Sequence, residues 1–452
     1  MIEDSLAAVA ERLGGRLQGA DSTFRGLSTD SRMVEPGSLF LALRGPNFDG
    51  HAFAADALAA GAAAVLVERA PSSLAPAVIV DDSRRALGQL GSWWRRRVAP
   101  TVVGVTGSNG KTTVKQMLVS ILSRVAATSA TRGNLNNDIG VPLTLARLRL
   151  GDVYAVVEMG ANRPGEIAAL AALAQPGVAV VTNANRAHLE GFGSLEQVAR
   201  AKGELYQALA DDGTAVINVD DPHCSMWSRF AGQRSVIDFG IDNHAQVRGI
   251  PLGPSGRCRI ELPGGVLELV LPVPGRHNLY NALAAAAVAV ALGAPAAAIR
   301  EGLEGFEPPA GRLCTRAATC GARIIDDSYN ANPASLEAGA DVLMQSGGEP
   351  WVALGDMGEL GDDAAELHFQ SGRMLRERGV RRLYAWGPLS AYTVRGFGSE
   401  GRHFEQKQDL IAALEEDLTA GVDLLVKGSR RAGMEAVVVR LCADDATPGE
   451  GR

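Results

Sequence analysis

Residues 102–113 read VVGVTGSNGKTT, an apolar run that breaks into a glycine-containing turn and then into Lys-Thr-Thr. A buried strand feeding a tight turn and a helix is the arrangement that suits such a stretch. It aims the backbone N–H groups of the turn and the positive helix end at one point, where an anion is held. The spacing departs from the usual phosphate-loop pattern G-x-x-x-x-G-K-[ST]. Its last part stands at Gly110, Lys111 and Thr112, but the position of its first glycine is Val105, and glycine stands at Gly104 and Gly107 instead. The loop Gly107, Ser108, Asn109, Gly110 is therefore shorter than in motor and switch NTPases. Lys111 would lie along the β- and γ-phosphates, Thr112 would offer its hydroxyl to Mg2+, and Thr113 follows them. No lysine follows an asparagine, so the N-K-x-D base-reading motif of GTPase switches is missing. The G-x-G-x-x-G of a dehydrogenase does not follow the strand either.

The surrounding pattern is α/β. TVVGVTG, VYAVVEMG, VAVVTNA and TAVINVDD are continuous apolar or β-branched runs, as in parallel strands buried on both faces. Helical stretches at 112–126, 165–174 and 194–210 separate them. This predicts a doubly wound nucleotide-binding domain. Three domains are expected: a small α/β unit over 1–82, a linker helix and central ATP-binding domain over 83–310, and a Rossmann-like domain over 311–452. In the first, GSLFLALRG and AAAVLVE are predicted strands around the helical HAFAADALAAG. In the second, DDSRRALGQLGSWWRRRVAP is the linker helix, whose Trp93-Trp94 pair reads as packing. RCRIELPGG and VLELVLPV are short strands, and NLYNALAAAAVAVALG is an apolar helix. In the third, ARIIDD, PWVALGD, RRLYAWG and DLLVKGS are strands, and the tail ADDATPGEGR is expected to fray.

A net charge of −7 argues against unspecific binding to nucleic acid or acidic membranes. No apolar run reaches the roughly 18 residues of a membrane span. The opening MIEDSLAAVAERL does not read as a signal peptide. Five scattered cysteines without a C-x-x-C pair fit a reduced, cytoplasmic setting with no zinc site or disulfide frame, and a monomer is expected. Of the 44 basic residues only five are lysines: Lys111, Lys115, Lys202, Lys407 and Lys427. Where arginine supplies the general positive charge, a retained lysine is a candidate for what arginine cannot do, such as reacting as a neutral amine.

Strand ends carry further candidates. Glu158 closes VYAVVEMG, and His188 follows VVTNANR. Ligands of open α/β sheets sit at the carboxyl ends of strands, so both would face the crevice of the phosphate loop and suit Mg2+, with two ions expected. Lys202, in the helix SLEQVARAKGELYQAL, reads either as a solvated helix lysine or as a buried amine that reacts with CO2 to a metal-binding carbamate.

The segments VTGSNGKTT, EMGANRPGEI, NANRAHLEGFGS, ARAKGELY, GRHNLYNALAA, IDDSYNANPASLEA, LGDMGELG and VKGSRRAGME together resemble the Mur ligase family, in order and over nearly the whole chain, starting from STDSRMVEPGSLFLALRG. The short G-x-x-G-K-T loop is that family's own form. The resemblance implies ATP-dependent amide ligation through an acyl phosphate in peptidoglycan precursor synthesis. It points to the members that join D-alanyl-D-alanine to UDP-N-acetylmuramoyl-tripeptide. Relatives that add one amino acid more often carry Asp-Tyr-x-His-x-Pro where this chain has DDSYNANP; such a ligase is the alternative. A nucleotide-binding regulator without ligation is the reading from another class, and it leaves Glu158, His188 and Lys202 unexplained together. The same resemblance implies site roles. Lys111, Thr112 and Thr113 match the ATP loop, Glu158 and His188 the Mg2+ ligands, and Lys202 the carbamylated lysine. Asn278 and Asn281 lie near the adenine, and Arg312 with Asp326 or Asp327 reaches ATP from the third domain. Ser28, Thr29, Asp30, Ser31, Arg32 and Asn47 hold the uridine diphosphate, and Asn134, Asn136 and Asn137 form a substrate loop. Asn330, Asn332 and Asp356 receive the dipeptide. Lys427 and Arg430 would be phosphate or carboxylate partners, or members of a solvated strand-end cluster. The extra basic residue Arg431 has no assigned role.

Overall fold

A computed structural model describes residues 1–45, 48–185, 189–253 and 255–442. The four apolar runs form strands Thr101–Thr106, Tyr154–Glu158, Val178–Val181 and Thr214–Asn218, buried over almost their whole length. They pair in parallel, with Val103 flanked by Val156 on one neighbour and Val178 on the other. Thr101–Thr106 is thus the strand from which the chain winds outward in both directions. The crevice at its carboxyl end is where ligands of such sheets bind. Beyond Thr214–Asn218 the sheet continues through Ser235–Gly240 and Val247–Pro251, and ends in the antiparallel Arg257–Leu262 and Gly265–Val270. Helices cover both faces. Lys111–Leu122 and the Ala-rich Arg276–Ala291 share one apolar cluster with Val103 and Val105. Glu166–Ala174 and Leu195–Gln207 pack on the other face with Val102 and Val157. Alanine on the long helix removes side-chain bulk, so it buries nearly every position rather than a single stripe.

The N-terminal sheet runs Arg16–Gln18, Ala77–Ile79, Ala64–Val67, Leu39–Leu41, Leu27–Ser28, parallel except for the first strand. The helix expected over 51–61 starts as a 3-10 turn, Gly50–Phe53, capped by Asp49, and continues as Ala54–Ala59. The linker helix Ser83–Val98 begins at an Asp82 cap and joins the two units. Its Leu87, Leu90 and Trp94 lie in one apolar cluster with Ile2 and Leu66 on one side and Val141, Leu145 and Val157 on the other. Trp94 donates its indole N–H to the Leu148 carbonyl at 2.8 Å, and Trp93 lies under the Arg12 guanidinium at 3.8 Å. Both rings are packing, as their sequence context predicts.

The C-terminal sheet has the order Cys314–Ala317, Arg323–Asp327, Val422–Lys427, Glu349–Gly355, Arg382–Trp386, Gly401–Phe404, parallel except for the first strand. Its two apolar clusters draw only on residues 313–442. No helix among the described residues is long and apolar enough to cross a membrane.

Candidate active site

The phosphate loop is held by the next strand's end. Asn109 and Ser108 donate their backbone N–H groups to the Asn183 side-chain and main-chain oxygens, both at 3.0 Å, and Thr182 donates its hydroxyl to the Asn109 carbonyl at 2.6 Å. Gly110 enters the helix Lys111–Leu122 at φ 82°, and a Cβ there would stand 2.2 Å from Asn281 Oδ1. At Gly107, φ 145°, a Cβ would meet Thr182 Oγ1 at 1.9 Å. Both positions therefore require glycine for reasons of space as well as conformation. Asn281 donates to Asn278 Oδ1, and Asn278 to the Pro274 carbonyl, which fixes this pair at the loop. Lys111 folds back to donate to the Gly107 carbonyl at 2.7 Å. Burial, with some help from Arg312, lowers its pKa against the pull of Glu158.

Glu158 lies beside the loop, 2% exposed. Its Oε1 accepts from Thr112 Oγ1 at 3.3 Å and Asn136 Nδ2 at 2.9 Å. The Lys115 ammonium stands 3.1 Å from Oε2, an ion pair whose angles fall short of a hydrogen bond and leave that oxygen with unused lone pairs. Burial pushes the Glu158 pKa up, but Lys115, Lys111 and Asn136 outweigh it and hold the carboxyl below its usual range. A buried, ionised carboxylate next to a threonine hydroxyl is a hard oxygen set, and it fits a Mg2+-class ion. Among the described residues no three His, Cys, Asp or Glu side chains converge as a metal group. Such an ion would therefore rest on Thr112, Glu158 and groups other than clustered acids. His188 and Asn47 lie outside the described residues. Lys115 joins these groups although no motif marks it as a site residue. Its signal is the scarcity of lysine, for it is fully buried, pairs with Glu158 and donates to the Gly133 carbonyl of the 131–139 loop at 3.0 Å.

Lys202 is 1% exposed, so the solvated reading is overturned. Its ammonium lies 3.4 Å from the Ala161 carbonyl and 5.4 Å from the Phe192 ring centre. Burial, then the Lys111 charge, brings its pKa down to about 7. It does not line the crevice itself; Ala161 does.

The crevice holds about 1170 Å3 and is shared by the central and C-terminal units. Ser108 to Thr113, Asn134, Asn136, Asn137, Glu158, Asn278 and Asn281 line it from one side. Arg312, Asp327, Asn330, Asn332, Lys427 and Arg430 line it from the other. Among the described residues two side-chain bonds cross between them: Arg312 Nη2 to Thr112 Oγ1 at 3.1 Å, and Asn332 Nδ2 to Asn109 Oδ1 at 2.8 Å. Lys427 is buried, ion-paired with Asp327 and donating to the Asn330 carbonyl. This overturns its reading as part of a solvated cluster. Burial pushes the Asp327 pKa up even against that ammonium. His277 also lines the crevice; burial and the nearby Lys427 bring its pKa down to about 4, so the ring is neutral at pH 7. Arg431, without a role in the sequence, lines the crevice as well.

Two expectations need correction. Asp326, next to Asp327 on an alternating strand, faces away from the crevice and accepts from the Ser328 hydroxyl and N–H. Asp356 does not line it either. Its carboxylate accepts from the Ser390 N–H at 2.7 Å and hydroxyl at 2.8 Å, capping the helix Ser390–Phe397, while Gly358 and Glu359 further along the loop reach the crevice. Ser28, Thr29, Asp30, Ser31 and Arg32 lie outside it on the N-terminal unit, where Asp30 caps a 3-10 turn and pairs with Arg32.

A strand-loop-helix phosphate cradle facing a second, Rossmann-like sheet across one crevice defines an α/β nucleotide-using protein. The model of the Mur ligase middle domain matches residues 105–289, that of the Mur ligase glutamate ligase domain 311–430, and that of the Mur ligase family catalytic domain 23–92. The chain belongs to the Mur ligase family. It is 42% identical to the UDP-N-acetylmuramoyl-tripeptide–D-alanyl-D-alanine ligase of Escherichia coli K12, over 97% of this chain and 98% of that one. A crystal structure of MurF from Acinetobacter baumannii superposes with a TM-score of 0.92 at 36% identity, covering 98% and 99% of the two chains. MurF from Thermotoga maritima in complex with ADP superposes at 0.84, with 28% identity and 92% and 97% coverage.

Proposed function

We propose that this chain joins D-alanyl-D-alanine to UDP-N-acetylmuramoyl-tripeptide at the cost of ATP, in the cytoplasm, in peptidoglycan precursor synthesis. The observation that carries the reading is the sharing of one crevice by the phosphate loop and the C-terminal residues Arg312, Asn330, Asn332 and Lys427. Residues 83–310 take ATP, residues 1–82 take the nucleotide sugar through Ser28 to Arg32 and Asn47, and residues 311–452 take the dipeptide.

A carboxylate does not react with an amine in water without activation. Here a carboxylate oxygen of the tripeptide attacks the γ-phosphorus of ATP, and ADP leaves. The dipeptide amine then attacks the acyl phosphate carbonyl, loses a proton and expels inorganic phosphate. Phosphoryl transfer depends chiefly on alignment and charge neutralisation. The loop N–H groups, Lys111 and Arg312 supply both, and Asn278 and Asn281 border the adenine end. Thr112 and Glu158, with His188 and a carbamate on Lys202, would hold Mg2+, which when bound offsets phosphate charge. The neutral amine is the form that adds to CO2, and a pKa brought down to about 7 leaves a substantial share of Lys202 in that form near neutral pH, which supports the carbamate.

Phosphate release is measured with ATP, Mg2+ and UDP-N-acetylmuramoyl-tripeptide, adding D-alanyl-D-alanine or single amino acids. Turnover confined to the dipeptide is expected. Turnover with a single amino acid, or with neither acceptor, would overturn the proposal.

A further inference from the structure

Tyr329 stands in the crevice with two cations on its ring. The Arg312 guanidinium carbon lies 4.3 Å from the ring centre and that of Arg430 5.6 Å. Arg312 also donates to Thr112 Oγ1 in the phosphate loop, whereas Arg430 pairs with Glu435 at 3.0 Å. The hairpin explains the juxtaposition. Cys314 stands opposite Asp326, and the same antiparallel register carried outward brings Gly311 opposite Tyr329, so Arg312, next to Gly311, leaves the sheet beside the Tyr329 ring. The Tyr329 N–H donates to the Gly311 carbonyl at 3.1 Å and closes the end.

Arg312 reaches across the crevice from a turn, on a long side chain with many rotamers. Thr112 gives it only one hydrogen bond, and Lys111 and Arg430 are like charges in the same crevice. An aromatic face attracts a guanidinium and restricts it to one plane. We propose that Tyr329 is a positioning residue, whose ring holds the Arg312 guanidinium over the phosphate loop, ready for the triphosphate, and tethers Arg430 beside it. The inference rests on the reading that ATP enters this crevice.

The test is the affinity for the non-hydrolysable analogue β,γ-imido-ATP with Mg2+, with no acceptor present, so that it judges Tyr329 whatever the ligation assay shows. Tyr329→Leu is expected to weaken binding roughly five- to tenfold, and Tyr329→Phe to stay within about twofold of the wild type. In an Arg312→Gln background, Tyr329→Leu is expected to add less than about twofold, because the ring acts through that guanidinium. Replacing Tyr329 by phenylalanine and its mono-, di- and trifluorinated forms drains charge from the ring face at nearly constant volume. Affinity is then expected to fall stepwise, and this series decides the matter if the leucine variant does not fold. Wild-type affinity in Tyr329→Leu, equal losses for Leu and Phe, an undiminished loss in the Arg312→Gln background, or a flat fluorine series would each overturn the proposal.

Discussion

Lysine, used five times in this chain, is placed where its charge can be buried or neutralised. Lys115, Lys202 and Lys427 are at most 2% exposed, and all three lie at or behind the crevice with Lys111. Lys115 and Glu158 form a pair that is costly to break, since either charge left alone in the interior lacks solvent. Lys115→Met is expected to lower stability by roughly 3–5 kcal/mol in urea unfolding, and Glu158→Gln in addition to recover a good part of it. If the double variant is as unstable as the sum of the two, the pair is not what holds these groups. Lys202 makes a statement about pH. With the folded pKa at about 7 and the ordinary value at 10.5, the unfolded chain holds the proton between those limits while the folded chain has released it. Stability therefore rises with pH across that window, and the penalty is full below pH 7. Unfolding in CO2-free buffer from pH 7 to 10 is expected to show a steeper rise for the wild type than for Lys202→Met; equal slopes would refute the shift.

At the scale of elements, the phosphate loop is a turn whose glycines are demanded by neighbours far along the chain. Gly110→Ala would press a methyl group against Asn281, one turn into the helix Arg276–Ala291, besides straining a φ of 82°. A loss of roughly five- to 150-fold in kcat/KM for ATP is expected, the equivalent of the roughly 1–3 kcal/mol that such strain represents. The helix Pro333–Gln345 has a capping box in which Asn332 Oδ1 accepts from the Ser335 N–H while Nδ2 reaches Asn109. Asn332→Asp keeps the acceptor and loses the donor, so its stability should stay within about 0.5 kcal/mol of the wild type while KM for ATP rises. Asn332→Ala should lose about 1 kcal/mol as well. Thermal melts and ATP titrations of the two variants separate the cap from the bridge.

For the whole molecule, the apolar clusters do not follow a three-way division of the chain. One cluster runs from Ile2 through the linker helix to Leu205 and Trp227, whereas the clusters of the C-terminal sheet contain only residues 313–442. Units that share a core unfold together, and those joined by a few polar bonds do not. Calorimetry is expected to show two transitions, one of them for the C-terminal unit, and β,γ-imido-ATP with Mg2+ should bring them closer together by binding across the crevice. Three separate transitions, or a single one unmoved by the nucleotide, would contradict this account.

The buried strands, the short loop and the scarcity of lysine were legible in the chain because they are local. A β-branched run without polar alternation has no solvent face, and Gly-Lys-Thr after such a run leaves few other arrangements. The sequence by itself determined the parallel central sheet, the place of the loop at the end of its strand, and Glu158 beside it. Which way neighbouring side chains turn was decided only by the tertiary structure. Asp326 and Asp327 are adjacent acids, and strand alternation sends one to Ser328 and the other to Lys427. Asp356 sits in a glycine-rich loop that reads as a ligand site, yet a helix start from elsewhere claims its carboxylate. Tyr329 and His277 join the crevice, and Lys115 pairs with Glu158 behind it, only because segments distant in sequence close around them. Pairing of charges, rings and caps across such distances is a property of the packed chain, and no local pattern encodes it.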